Sequence, residues 1–385
     1  MNAISGWAPP QELLEAGDIL FLESVWLWGL LVAPFLVLAL LCGFGGGNFA
    51  SSMANIAFFY PKREKGKALA MNAGLGNLGV SVMQFLVPVV ISTGSFVMFT
   101  GSGQPMSDTD LLWLQNAGFV WVPFIAIATV AAWFGMNDIA SAKSSFKEQS
   151  VIFKRKHNWL MCILYTGTFG SFIGFSAGFP LLTKTQFPAI DALQYAFLGP
   201  FVGALSRAWT GGLADRFGGA RVTFWTFLTM IVGVTGVLFF LMNKDMSIAF
   251  YGFFASFMLL FFATGVGNAS TFQMIPSIFR KEVPRLMPNL TSAEQLVHAE
   301  RESAATIGFT SAIAAYGAFL IPKSFGSSIS LTGGAEAALI GFIVFYVFCT
   351  ALTWFYYSRK GAEIELNLDA GPTRKPSAGA AQTQH

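Results

Sequence analysis

The chain has 385 residues, of which 54% are hydrophobic and only 11% charged, and its formal net charge is +3. Soluble domains carry about 25% charged residues, so this deficit excludes a water-soluble globular enzyme, and the near-neutral balance gives no reason to expect a nucleic-acid partner. Forty-one Phe, 40 Gly and 16 Pro within long apolar runs exclude a disordered chain and fit an all-α polytopic membrane protein with closely packed helices.

In chain order, residues 1–24 hold four acidic residues and no Lys or Arg, unlike a cleavable signal peptide. They read as an external segment. A span needs about 20 mostly apolar residues. Reading from charge to charge predicts nine spans, at roughly 25–59, 68–92, 111–136, 158–183, 192–214, 222–243, 247–279, 303–322 and 337–358. The first is too short for two spans and a turn, so a kink at the Gly-rich stretch 43–47 is expected. With the start outside, the inner connections and the tail hold 19 of the 23 Lys and Arg, and the outer ones hold only Lys184, Lys244 and Lys323. That bias predicts an external N-terminus and a cytoplasmic C-terminus. One cation, Arg207, is left inside a span. Residues 137–157 read as a cytoplasmic loop between two helical bundles (25–136 and 158–358), and 359–385 as a disordered cytoplasmic tail. Cys42, Cys162 and Cys349 have neither disulfide nor metal-ligand spacing, so no metal and no cofactor are expected.

Two pairs of segments repeat. GFGGGNFASSM (43–53) aligns with GVGNASTFQMI (265–275), and AGLGNLGVSVMQFLVP (73–88) with IGFTSAIAAYGAFLIP (307–322). The second alignment sets Gly74 against Gly308 and Asn77 against Ser311. Two adjacent helices thus recur six spans later, the parallel six-helix repeat of the major facilitator superfamily. GGLADRFGGAR (211–221), with Gly212, Asp215, Arg216, Gly218 and Arg221, resembles that superfamily's loop motif (G-x-L-A-D-R-x-G-x-R). Taken alone it is equally a basic inner turn with glycine caps. On this numbering the spans are equivalents of helices 4–12 of a major facilitator fold, nine of twelve. The expectation is an N-terminally incomplete chain lacking helices 1–3.

GFGGGNFASSMANIAFFYP, KGKALAMNAGLGNLGVSVMQ, FGSFIGFSAGFP and GFTSAIAAYGAFLIP closely resemble the nitrate/nitrite porter family over residues 26–358. The resemblance implies alternating-access transport of nitrate and nitrite by a monomer in the inner membrane. It also implies site residues: Phe49 (helix 4), Gly74, Gly76, Asn77 and Gly79 (helix 5), Tyr165 and Phe169 (helix 7), Arg207 (helix 8), and Gly308 and Ser311 (helix 11). In that family a second arginine, on helix 2, faces the helix 8 arginine.

The residues support these roles unequally. A cation within a span is costly and marks function by default; the alternative is snorkelling, across about 12 Å to Asp215. Gly203 and Gly211, at i−4 and i+4, are expected to clear space around Arg207. Tyr165 and Phe169 share a helix face, as ordinary packing also would. Asn77 and Ser311 are anion donors or interhelical polar contacts. No Asp, Glu or His falls within a predicted span, which favours nitrate/nitrite exchange over proton symport. No nucleophile–base pair can be assembled either, so an enzyme is not expected. The competing readings are a carrier for another small anion, or a truncated membrane protein that does not transport.

Overall fold

The computed structural model describes residues 62–94, 101–106, 111–136 and 145–366, together with the short apolar helix α1 (Val32–Gly43) and positions 29, 49, 52, 53, 56 and 60. The chain divides into two units, Met1–Ser52 and Met53–His385. In the first, α1 is shorter than a span, and most of the expected Gly-rich kink (44–47) lies outside the described residues.

Among its described residues the second unit is helical apart from turns and one pair of two-residue strands, β1 (Gln104–Pro105) against β2 (Leu111–Leu112). Its helices are α2 (Lys62–Ile91), α3 (Asn116–Phe119), α4 (Val122–Gly135), α5 (Phe146–Gln149), α6 (Lys156–Tyr165), α7 (Ser171–Gln186), α8 (Ala192–Ala196), α9 (Leu198–Phe217), α10 (Gly219–Met242), α11 (Ala249–Leu286), α12 (Ser292–Ala315), α13 (Gly317–Thr332) and α14 (Glu336–Thr353). Among the described residues, seven helical stretches are long and apolar enough to cross a membrane. Twenty-residue α9 falls short of that apolarity because it carries Arg207, Asp215 and Arg216.

Several boundaries differ from the charge-to-charge reading, for one physical reason. A charge ends the hydrocarbon-soluble part of a helix but not the helix. The stretch read as 247–279 is α11, 38 residues and about 57 Å long, so it extends past any bilayer core. The stretch read as 303–322 begins at Ser292, where Thr291 caps it. Thr291 Oγ1 accepts from the Glu294 amide, and the Glu294 carboxylate accepts from the Thr291 amide at 2.9 Å. It breaks at Tyr316 and resumes as α13. The stretch read as 192–214 breaks at Phe197 into α8 and α9.

Glycines set the closest helix contacts. On the α6–α7 rod, Gly170, Gly174 and Gly178 recur every four residues and face the α12–α13 break. A Cβ on Gly170 would stand 2.9 Å from the Ala314 carbonyl oxygen, one on Gly174 2.5 Å from the Gly317 oxygen, and one on Gly178 2.9 Å from the Phe325 ring. Gly203 of α9 and Gly265 of α11 meet backbone to backbone in the same way.

The tail reading needs correction. It starts at 359, yet residues 359–366 fold back on the helix ends. The Ile364 and Leu366 amides donate to the Tyr356 and Tyr357 carbonyls, and both side chains are buried. Glu363 pairs with Lys156 and lies 3.5 Å from His157 Nε2, while Arg285 and Lys281 donate to the Glu363 and Glu365 carbonyls. Residues 367–385 lie outside the described residues. At the same end Arg155 holds Glu302 through two hydrogen bonds of 2.7 Å. Glu302 and Glu282 are both buried there, carboxylates that the sequence reading had placed at or beyond the edge of the spans.

Candidate functional site

Arg207 sits midway along α9 and is only 1% exposed. α9 is locked against α11 beside it: Ser206 Oγ lies 3.0 Å from both the Gly203 and Phe262 carbonyls, and Gln273 Nε2 donates to the Gly211 carbonyl. The side chain therefore does not reach out to an interface. Arg207 Nη2 donates to the Tyr165 hydroxyl at 3.3 Å. Its guanidinium carbon lies 5.8 Å from the Phe169 ring centre and 5.6 Å from that of Phe272, within cation–π range of both.

The aromatic wall owes its shape to a local irregularity. Between α6 and α7, residues Thr166–Gly170 form a π-helical turn, a feature that often marks functional positions. Tyr165 precedes the turn and Phe169 lies within it. Their rings stack 5.1 Å apart at 13°, and Phe272 tilts against Tyr165 at 5.5 Å. Ser311 on α12 stands near the Tyr165 hydroxyl, and its own Oγ donates to the Ile307 carbonyl at 2.7 Å. Three helical segments thus converge on one cation, α6 with its π turn, α9 and α11, and α12 borders the site beside Tyr165.

The structure brings Arg207, Tyr165, Phe169 and Ser311 together. Asn77 on α2 is buried, and its Nδ2 has no acceptor among the described residues. One turn before it, Gly74 packs against Ala208, the residue after Arg207; a Cβ there would stand 2.9 Å from Ala208 Cβ. Gly76 and Gly79 face open space, with nothing within 4 Å of an added Cβ. Gly308 is half-buried on α12. Phe49 belongs to the separate Met1–Ser52 unit and is half-buried there. In the loop motif, Gly218 takes φ +86° to turn α9 into α10, with its amide on the Ala214 carbonyl at 2.9 Å. Gly212, Arg216 and Arg221 are exposed, and the Asp215 side chain lies outside the described residues.

One expectation fails. Gly203 does not clear space for a ligand, because the Phe172 ring and the Phe261 carbonyl fill the place of its missing Cβ. One residue was missed. Phe272 lies inside GNASTFQMI, four residues after Asn268, but among 41 Phe nothing in that spacing singles it out. Asn268 is fully buried, with neither amide atom partnered among the described residues. Among those residues no group of three His, Cys, Asp or Glu side chains is placed to hold a metal. A cavity of about 440 Å³ lies beside Arg221 and includes none of the residues around Arg207.

Residues 17–293 match the Major Facilitator Superfamily. The chain is 47% identical over 350 residues to the nitrate/nitrite transporter NarU of Escherichia coli (strain K12), covering 89% of this chain and 76% of that one. Against the nitrate/nitrite transporter NarU of Salmonella typhimurium (strain LT2) the identity is 48% with the same coverage. Against the probable nitrate/nitrite antiporter NarK2 of Thermus thermophilus it is 39% over 371 residues, 92% of this chain and 78% of that one. This chain is therefore a multi-pass membrane protein that belongs to the nitrate/nitrite porter family of the Major Facilitator Superfamily.

Proposed function

We propose that the protein carries nitrate and nitrite across the bacterial inner membrane by alternating access, exchanging one anion for the other, with its C-terminal end in the cytoplasm. The observation that carries this reading is the setting of Arg207, a buried guanidinium within cation–π range of the Phe169 and Phe272 rings and hydrogen-bonded to the Tyr165 hydroxyl. Nitrate is flat and spreads its charge over three oxygens. A guanidinium offers a planar fork of donors that meets two of those oxygens together, whereas an ammonium is a point charge. The Tyr165 hydroxyl is placed to contribute at the edge, and the buried Asn77 Nδ2 is a further donor one turn along α2 from the α2–α9 contact.

The same setting accounts for exchange. A buried cation is costly in a low-dielectric interior, and a bound anion offsets that cost. The loaded carrier then changes conformation more readily than the empty one, which couples movement in one direction to movement in the other. The two bundles, 25–136 and 158–358, would rock about the site with 137–157 as their cytoplasmic link.

In nitrite-loaded proteoliposomes the wild-type protein should take up nitrate with no pH gradient. Arg207→Lys keeps the charge and removes the fork. It should weaken nitrate binding by about 2–3 kcal/mol, or roughly 30- to 150-fold, in protein that inserts normally. Near-normal nitrate affinity in Arg207→Lys would make Arg207 a packing residue, and uptake that needs a proton gradient but ignores internal nitrite would overturn exchange.

A further inference from the structure

α9 and α10 each pack mainly on α11 rather than on each other. After the Gly218 turn they part, and α11 forms the floor of a cleft between them. The cleft has a volume of about 440 Å³, inside the range of about 300–1,000 Å³ usual for small-molecule sites. Its walls are mostly apolar, with Phe217 from α9, Trp225 from α10, and Phe262 and Val266 from α11, and with Thr226 of α10 among them. Thr229 also lines it, but its hydroxyl donates to the Trp225 carbonyl at 3.0 Å and is thus satisfied within the helix. At the Gly218 end the lining includes Arg221, and no carboxylate lines the cleft among the described residues. Arg216 stacks over the Phe217 ring at the same end. Trp225 and Phe262 remain substantially exposed, so the cleft opens sideways, toward lipid in a membrane-spanning chain.

We infer that this cleft binds one anionic phospholipid, with an acyl chain lying along α10 and the headgroup phosphate held by Arg221. The dimensions agree. From Arg221 to Thr229 is eight residues, about 12 Å of helix rise, close to the roughly 15 Å depth of one leaflet of a 30 Å hydrocarbon core. The charges agree too: on the orientation proposed above, which this point rests on, Arg221 stands at the cytoplasmic end of the cleft, where a cation between membrane helices attracts anionic headgroups. An indole at the mouth suits the headgroup level. A nitrate-sized anion would leave the apolar walls unused, so this site is separate from the one around Arg207.

Native mass spectrometry of the purified protein in mild detergent tests the inference with two probes of equal chain length, dioleoyl phosphatidylglycerol and dioleoyl phosphatidylcholine. The wild-type protein should retain a single phosphatidylglycerol, about fivefold more tightly than phosphatidylcholine. Arg221→Gln should remove that preference and Arg221→Lys restore most of it. Thr229→Trp fills the cleft and should abolish retention of both lipids. Thermal unfolding identifies any variant that fails to fold, and the Arg221 pair decides the matter if Thr229→Trp is lost that way. Equal retention of both lipids by the wild type, several lipids held equally well, or an unchanged preference in Arg221→Gln would each overturn the site. Nitrate takes no part in the measurement, so its outcome is independent of the transport reading.

Discussion

At the scale of single residues, Phe272 is the most informative. It faces Arg207 from α11 in addition to Phe169 from the π turn, so the cation lies against two ring faces and not one. A desolvated cation–π contact contributes about 2 kcal/mol, and part of that orients the guanidinium for its ligand. Phe272→Leu keeps the apolar volume and removes the π face. Nitrate KM should rise roughly 5- to 30-fold with normal amounts of protein in the membrane; a KM within twofold of wild type would reduce Phe272 to packing. Arg207 was legible in the sequence because it is the one cation inside an apolar run, and burial of a charge has few innocent explanations. Phe272 was not, because an aromatic ring in this composition carries no information until its neighbours are known. Nor was the Tyr165–Phe169 stack. Spacing of i and i+4 gives a shared face in an α-helix, but the face-to-face overlap depends on the π turn, for which the sequence offers no rule.

At the scale of helices, glycines separate into two kinds. Gly174 has the Gly317 carbonyl oxygen and the Ile321 side chain where its Cβ would stand, at 2.5 and 2.6 Å. Gly174→Val should therefore force α7 away from α13 and cost about 1–3 kcal/mol, as overpacking does. It should lower the thermal unfolding midpoint by several degrees. Gly76→Ala meets nothing within 4 Å and removes a flexible residue from mid-helix, so it should be neutral or stabilising by about 0.5–1 kcal/mol. Equal stability losses in the two variants would refute this division. If Gly76→Ala keeps its stability but transports poorly, then Gly76 is needed against a surface it meets in another conformation. Close helix contact through glycine was legible in the sequence for Gly74, which meets Ala208, but Gly76 and Gly79 of the same run meet nothing within 4 Å. Which helix a glycine meets was not legible, because a glycine motif fixes closeness and not partner. The α11 and α12 extensions were hidden too, because a hydropathy reading stops at charges such as Arg280 and Arg301 while the backbone hydrogen bonds continue.

At the scale of the whole molecule, the folded-back segment 359–366 ties the starts and ends of several helices together through Glu363. The Lys156 ammonium beside Glu363 holds its carboxyl below the usual carboxylate range, with His157 adding to the effect. A carboxyl whose folded-state pKa is depressed stabilises the fold above its unfolded value, near 4.3, and that contribution is lost as pH falls through the folded value. Through this carboxyl alone the tie should hold near neutrality and loosen as pH falls below that unfolded value. At pH 7, Glu363→Gln should raise hydrogen exchange at the Ile364 and Leu366 amides several-fold, corrected for intrinsic rates. Lowering the wild-type protein to pH 6 should leave their protection unchanged. Protection that falls in the wild type between pH 7 and 6 would instead point to His157 as the controlling group, since it lies 3.5 Å from the same carboxylate.

The π turn at Thr166–Gly170 has a consequence for how such chains are compared. A π turn takes in one residue more than an α turn over nearly the same length of rod. An α-helix rotates about 100° per residue, so an added residue would ordinarily swing everything beyond it onto a new face. Here the bulge absorbs that rotation. With one extra residue taken up there, the Gly170–Gly174–Gly178 ridge still meets the end of α12 and the first half of α13. Two homologous chains that differ by one residue in this stretch can therefore present the same two faces, although a position-by-position alignment would slip between them. The residues that touch the cation and those that mate with the neighbouring helix sit on one continuous rod, yet each group is free to diverge without dragging the other out of phase.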